Sequence, residues 1–270
     1  MTHSSHPAPY TEIDGRTPTA PEMHAVLPQL TSGYGHFTAA QVRDGRVRGL
    51  DLHLARLTAG TRELFGADLD GERIRELLRH ALAGAGVRDA SARVHVYGSG
   101  YGPDVPLTVV ITIRPPMAPP VASLSLLPVP YLRPVPHVKH LGSFAQTYYT
   151  LLAERQGHDS ALLTGPDGEI SEGAVTNIVF HDGSSLVWPD SPALHGITQA
   201  LLERHLPAAG PASVRRPVTL ADLPAYRAAF VTNSHGIAAV HRIGDTEFPV
   251  DAELLKTLTE VHDSAPWDAV

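Results

Sequence analysis

Four prolines in six residues, Pro115-Pro-Met-Ala-Pro-Pro120, cut this chain in two. Proline fixes φ and has no N–H to give to a helix or a sheet ladder, so the run reads as a stiff linker. At 270 residues the chain is long enough for two lobes around a sizeable core. We expect a tail over 1–21, a small N-terminal domain over 22–116, a linker at 117–122 and a larger C-terminal domain over 123–270. The tail holds four prolines and few large apolar residues. It is expected to be mobile, or to strap across the first lobe.

Both sides of the linker carry hairpin signals. Residues 37–42 are extended, Asp44-Gly45 supplies a turn and 46–50 return. Leu50, Leu54 and Leu57 then begin a helix carrying His53 and Arg56. A second helix follows, with Ile74, Leu77, Leu78 and Leu82 on one face. Segments 93–97 and 107–113 read as strands. Beyond the linker come a strand at 124–129, a helix at 145–156, and paired strands at 161–164 with 169–170 and 177–180 with 185–188. A helix starts near Ile197, strands at 227–231 and 237–240 follow, and Asp251 to Glu260 reads as a surface helix. Strands outnumber helices and are joined mostly by hairpins, which predicts α+β and not a doubly wound sheet.

Composition removes several function classes. Apolar content of 43% with 18% charged residues describes a soluble globular protein, and the net charge of −7 disfavours nucleic acid or an anionic membrane surface as partner. No apolar run approaches the roughly 20 residues that span a bilayer. The first residues lack the order of a secretory signal, so a cytoplasmic location is expected. Absence of cysteine excludes disulfides, thiolate metal sites and thiol nucleophiles. His137 and His140 invite a metal reading, but on an extended segment they need not share a face and no third ligand is obvious. No metal is expected.

Only two lysines occur, Lys139 and Lys256. A coding bias toward arginine would also produce this scarcity, and Lys256 belongs to the surface helix. Lys139 follows a proline-studded extended run, where a fold can hold and desolvate an amine, and a desolvated lysine can form imines. Three further features gain meaning only with a shared ligand. Glu172 stands beside a glycine at a strand–turn junction in Ile170-Ser-Glu-Gly-Ala-Val-Thr-Asn177, where a carboxylate can pair with a protonated ring nitrogen or serve as a plain turn residue. His195-Gly-Ile-Thr198 opens a helix; Gly196 lets an anion approach, and the amides of Ile197 and Thr198 with the Thr198 hydroxyl make a phosphate seat, unless the glycine is an ordinary cap. Thr232-Asn-Ser-His-Gly236 lies at a strand end, with small hydroxyl residues that could complete the seat.

Their order and spacing resemble one family. Asp167-Gly-x-x-x-Glu172-Gly-x-x-Thr-Asn177-Ile followed by Leu194-x-Gly196-Ile-Thr198 is similar to the class IV, fold-type IV pyridoxal-phosphate enzymes, which include branched-chain and D-amino-acid aminotransferases and aminodeoxychorismate lyases. Phe37-Thr-x-x-x-Val-x-Asp44-Gly and His53-Leu-x-Arg56-Leu resemble its N-terminal signature. The resemblance spans roughly residues 33–242. It implies an α+β fold with a small N-terminal α/β lobe and a larger C-terminal lobe built on a mostly antiparallel, barrel-like β core. It implies pyridoxal 5'-phosphate as cofactor, with Lys139 forming the internal aldimine and moving the proton between substrate and cofactor. Glu172 would pair with the pyridinium nitrogen; Arg56, Gly196, Ile197, Thr198 and Ser234 would hold the phosphate.

Departures from the family bear on substrate. Residues 94–102 fall where D-amino-acid enzymes place arginine and histidine; here the local cation is missing and Tyr97 and Tyr101 stand in its place. Phe144 sits where many branched-chain enzymes have tyrosine. Phe37, His36 and Tyr97 are candidates for the substrate wall. The expected activity is an aminotransferase acting on an amino acid and a 2-oxo acid. A lyase of the aminodeoxychorismate type, or a weakened relative that keeps the cofactor pocket as a binding module, are the alternatives. The resemblance also suggests a homodimer.

Overall fold

The computed structural model describes residues 9–270, and all side chains there but that of Ala209. The chain divides into two compact units. One contains the residues up to Met117 with Lys139–Gly142 and Trp267–Val270; the other contains Ala118–Val138 and Ser143–Pro266.

Unit 1 is built on an antiparallel sheet of β1 (Tyr10–Ile13), β2 (His36–Arg43), β3 (Arg46–Arg48), β4 (Ala90–Gly98) and β5 (Leu107–Arg114). Their order is β1-β5-β4-β2-β3, and the C-terminal strand Trp267–Ala269 pairs with β3. Asp44 and Gly45 have φ of 49° and 69°, the paired positive values that a two-residue type I′ turn requires. Residues of β2 alternate between buried and half-buried, so His36, Thr38, Ala40 and Val42 share one face and Phe37 and Ala39 the other. Helices α1 (Ala20–Ser32), α2 (Leu50–Phe65) and α3 (Gly71–Gly84) complete the unit. The last two bury Leu57, Phe65, Ile74 and Leu78 in one core with Val42, Val94 and Val96. Removal of each such side chain from water contributes about 1.5–3 kcal/mol.

Of the tail expected over 1–21, mobile or strapped across the first lobe, residues 1–8 lie outside the described residues. Tyr10–Ile13 adds an edge strand to β5, and α1 begins at Ala20. A start signal was present: Thr19 and Glu22 form a capping box, with Pro21 in the first turn.

Unit 2 holds β6 (Leu124–Pro130), α4 (Phe144–Arg155), β7 (Ser160–Thr164), β8 (Ile170–Gly173), β9 (Asn177–His181), β10 (Ser185–Pro189), α5 (Ile197–Ala209), β11 (Ala212–Arg216), β12 (Ala228–Asn233), β13 (Gly236–Ile243) and α6 (Ala252–Asp263). Strand order is β11-β10-β9-β12-β13-β6-β7-β8. Hairpins make β9 to β10, β12 to β13 and β7 to β8 antiparallel. Where a helix intervenes, as α4 between β6 and β7 or α5 between β10 and β11, the pair is parallel. Strands β9 and β12 are apolar on both faces. Ile178, Phe180 and Val231 enter one core with Leu126 and Val240, while Val179 and Phe230 enter a second with Trp188, Leu202 of α5 and Leu258 of α6. Among the described residues no helix is long and apolar enough to cross a membrane.

Candidate active site

A single boundary at the proline run would put the candidate lysine in the C-terminal domain. Instead the segment Lys139–Gly142 belongs to unit 1. Backbone pairing is the cause. The amide of Phe37 donates to the carbonyl of Lys139 (2.9 Å), the amide of Leu141 donates to that of Gly35 (2.9 Å), and His36 bridges His140 as in an antiparallel pair. The Leu141 side chain packs with Ile13, Val26, Tyr97 and Val110. Lys139 is half-buried, its Nζ 4.9 Å from the centroid of the Phe37 ring.

Phe37 lies directly across from His95 of β4 and stacks on it at 5.6 Å; His95 in turn stacks on Tyr97 at 6.2 Å. Burial, and then the charges of Arg93 and Arg114, hold the His95 imidazole down at about 4, while burial raises the Tyr97 phenol to about 12. Both groups are therefore uncharged near neutrality. The Arg93 guanidinium reaches over the Phe37 ring at 5.8 Å, so a cation does stand on this face, one residue before the stretch read as lacking one. Tyr101 packs instead against Tyr34. Phe144 is 81% exposed at the start of α4.

The expectation that His36 joins Phe37 in a substrate wall is corrected. Neighbours in a strand point to opposite faces. His36 is 1% exposed and turned toward α2, where its Nε2 meets the Thr61 hydroxyl at 3.0 Å and its ring lies against Gly60. Burial, with the nearby Arg56 charge, lowers its imidazole to about 4.

Arg56 projects from α2 toward Thr38 of β2, and its Nη2 donates to the Thr38 hydroxyl. Nδ1 of His53 lies 2.6 Å from the same oxygen. Burial lowers the Arg56 guanidinium to about 10, still charged near neutrality, and its buried Nε has no partner among the described residues.

In unit 2, Glu172 of β8 is 4% exposed. Its carboxylate accepts from the Leu194 amide (3.2 Å) and from Arg133 (3.2 Å). Arg133 also donates to the carbonyls of Pro136 (3.2 Å) and Val138 (2.9 Å), the latter in the peptide bond that leads into Lys139. Sequence reading missed Arg133, because no local spacing connects it with an acid 39 residues away.

Gly196 caps α5 without a side-chain bond. A Cβ there would collide with Oδ1 of Asn177, whose Nδ2 donates to the Leu194 carbonyl. Ile197 begins the helix, and the buried Thr198 hydroxyl donates to the Asn233 carbonyl at 2.7 Å. Ser234 is half-buried in the β12–β13 turn. Thr232, which opens the hydroxyl-bearing segment read as completing the seat, is 1% exposed, and its hydroxyl has no partner among the described residues. It lies across from Asn177, so the two side chains share the face at the start of α5.

A phosphorylated heterocycle fits these groups. In unit 1 the buried Nε of Arg56, and in unit 2 the buried hydroxyl of Thr232, each lack an acceptor among the described residues, and a phosphate oxygen can supply one. A helix opening at glycine favours the same anion, and a carboxylate sealed from water suits a protonated ring nitrogen.

The model of the family described as "Amino-transferase class IV" matches residues 35–243, well over half of the chain. No curated protein sequence matches. Among solved structures, the branched-chain aminotransferase of Thermoproteus uzoniensis, determined with norvaline, superposes with a TM-score of 0.82 at 20% identity, over 95% of this chain and 94% of that one. A Legionella pneumophila protein described as a 4-amino-4-deoxychorismate lyase gives 0.78 at 18%, over 87% and 92%. A Mycobacterium tuberculosis protein described as an aminotransferase, in a PLP-bound form, gives 0.74 at 22%, over 87% and 89%. Likeness at these identities establishes the fold, which is the one the sequence resemblance implied.

Proposed function

The chain belongs to the class IV aminotransferases, and from that premise we propose that it transfers an amino group between an amino acid and a 2-oxo acid. Its cofactor is pyridoxal 5'-phosphate. What supports this most is that the family match over residues 35–243 takes in Arg56, Lys139, Glu172 and Gly196-Ile-Thr198 together. When bound, the cofactor supplies an aldehyde for amines and a ring that accepts the electron pair released at the substrate α-carbon.

Lys139 would hold the cofactor's aldehyde and move a proton at Nζ. Its backbone, pinned to β2, gives the side chain a fixed origin beside the Phe37 ring. Glu172 would accept a hydrogen bond from the protonated ring nitrogen and keep it protonated, with Arg133 and the Leu194 amide holding the carboxylate still. The family resemblance assigns Arg56, Gly196, Ile197 and Ser234 to the phosphate, and the Thr232 hydroxyl, unpartnered among the described residues, would add a donor on the unit 2 side. Thr198 contributes its amide, since its hydroxyl hydrogen is already given to Asn233. Phe37 and Tyr97 form an apolar wall against the substrate. A homodimer in the cytoplasm is part of the proposal.

The lyase reading has its own support in the likeness to the Legionella protein. The test is to incubate the cofactor-loaded enzyme with amino donors and a panel of 2-oxo acids, and separately with aminodeoxychorismate. Formation of a new amino acid, with the cofactor passing to its amine form, is expected. Pyruvate release from aminodeoxychorismate without transfer would replace the transaminase reading with the lyase.

A further inference from the structure

In unit 1, Thr38, His53 and Arg56 meet at one oxygen atom. Thr38 is 4% exposed and His53 5% exposed, so neither hydroxyl nor imidazole can turn to bulk water for a partner. The Arg56 guanidinium only donates, so its Nη2 must use the Thr38 oxygen as acceptor. The hydroxyl has a single hydrogen. The arrangement that leaves it paired is donation to Nδ1 of His53, 2.6 Å away. His53 is then neutral, with its own hydrogen on Nε2. Arg56 and Lys139 are the charged groups that bear on it, and both oppose a further positive charge there; burial acts in the same direction and holds the imidazole well below its ordinary range.

This relay fixes the guanidinium plane. Arg56 has a long side chain with several rotamers, and a free guanidinium would lose much of that freedom on meeting an anion. Tethering one terminal nitrogen to β2 removes that freedom in advance. The tether leaves Nε buried and without a protein acceptor.

We propose that Thr38 and His53 are positioning residues, a Thr38–His53 relay that sets Arg56 so that its unpartnered Nε–H meets a phosphate monoester. The inference rests on the proposed cofactor for the chemistry of the anion, and on the hydrogen inventory for the relay. Lys139 and Glu172, which would act on the aldehyde and the ring, are not part of it.

The experiment compares two forms of one ligand on cofactor-free protein. In Thr38→Val the dissociation constant for pyridoxal 5'-phosphate should rise about tenfold or more, while that for pyridoxal, which lacks the phosphate, should change less than twofold. Thr38→Ser, which keeps the hydroxyl, should restore the phosphate preference. If Thr38→Val fails to fold, His53→Phe, which removes the acceptor at Nδ1, is read the same way. In parallel, ¹⁵N NMR of the cofactor-free protein should find His53 neutral with hydrogen on Nε2. An Nδ1–H or doubly protonated ring, or a Thr38→Val protein that loses both ligands equally or neither, overturns the relay. A wild-type protein that binds neither compound would instead overturn the proposed cofactor, and this role for Arg56 with it.

Discussion

Arg133 donates to the carboxylate of Glu172 at 3.2 Å, and both side chains are almost sealed from solvent. Two opposite charges taken out of water together stabilise little, but removal of one takes a buried, hydrogen-bonded counter-charge from the other. Arg133→Met should therefore lower stability by about 3–5 kcal/mol. The double variant Arg133→Met/Glu172→Gln should recover a large part of that loss. Urea unfolding of the cofactor-free proteins measures both, and a single variant no less stable than the double would refute the coupling.

Lys139→Ala should leave a folded protein, because the Lys139 backbone, not its side chain, pairs with β2. The variant should lose the visible absorption of the lysine-bound cofactor and all turnover. Retained turnover would remove this residue from the chemistry.

Thr232→Val should move stability and affinity in opposite directions. A buried hydroxyl without a partner costs about 1–3 kcal/mol, so the cofactor-free variant should be no less stable than the wild type and should gain up to that amount. Cofactor affinity should fall by several-fold as one phosphate donor is lost. Thermal unfolding and ligand titration give the two numbers; a parallel fall in both would place the hydroxyl outside the phosphate seat.

Acid should unfold the protein through its buried imidazoles. His36 titrates at its ordinary 6.5 in the unfolded chain and at about 4 in the folded one. Above 6.5 it is neutral in both states and stability does not depend on it. Between 6.5 and about 4 the unfolded chain binds a proton that the folded protein refuses, so stability falls as pH falls. The slope from this one residue is at most about 1.4 kcal/mol per pH unit. His95, lowered to about 4, and His53, lowered well below its ordinary range, add to it. Unfolding free energies of His36→Asn across this range should show a shallower slope; an unchanged slope would mean that the ring takes up its proton in place.

Much of the fold was legible. Helical spacing marked α2 and α3, Asp44-Gly45 marked the first hairpin, and the turns in unit 2 marked its strands. Strand alternation by itself dictates that His36 and Phe37 face opposite ways, so a wall built from both ran against a signal the residues carry. The capping box at Thr19 and Glu22 was likewise present and masked by the proline content around it.

Glu172 and Gly196-Ile-Thr198 stood out because their chemistry is local: a carboxylate at a turn, a helix that opens on glycine. Arg133 did not. An arginine in a proline-rich strand exit is ordinary until the distant carboxylate is seen.

The amino-acid order alone determined which residue types were on hand for the chemistry, the family they resemble, and the period of each helix and strand. Those properties depend on neighbours within a turn or two. Tertiary structure alone decided that Lys139–Gly142 pairs with β2, that Arg133 meets Glu172, and that Thr38 joins His53 to Arg56. Hydrogen bonds between distant segments depend on where the chain returns in space, and burial then requires each donor to find an acceptor; neither leaves a periodic trace in the sequence.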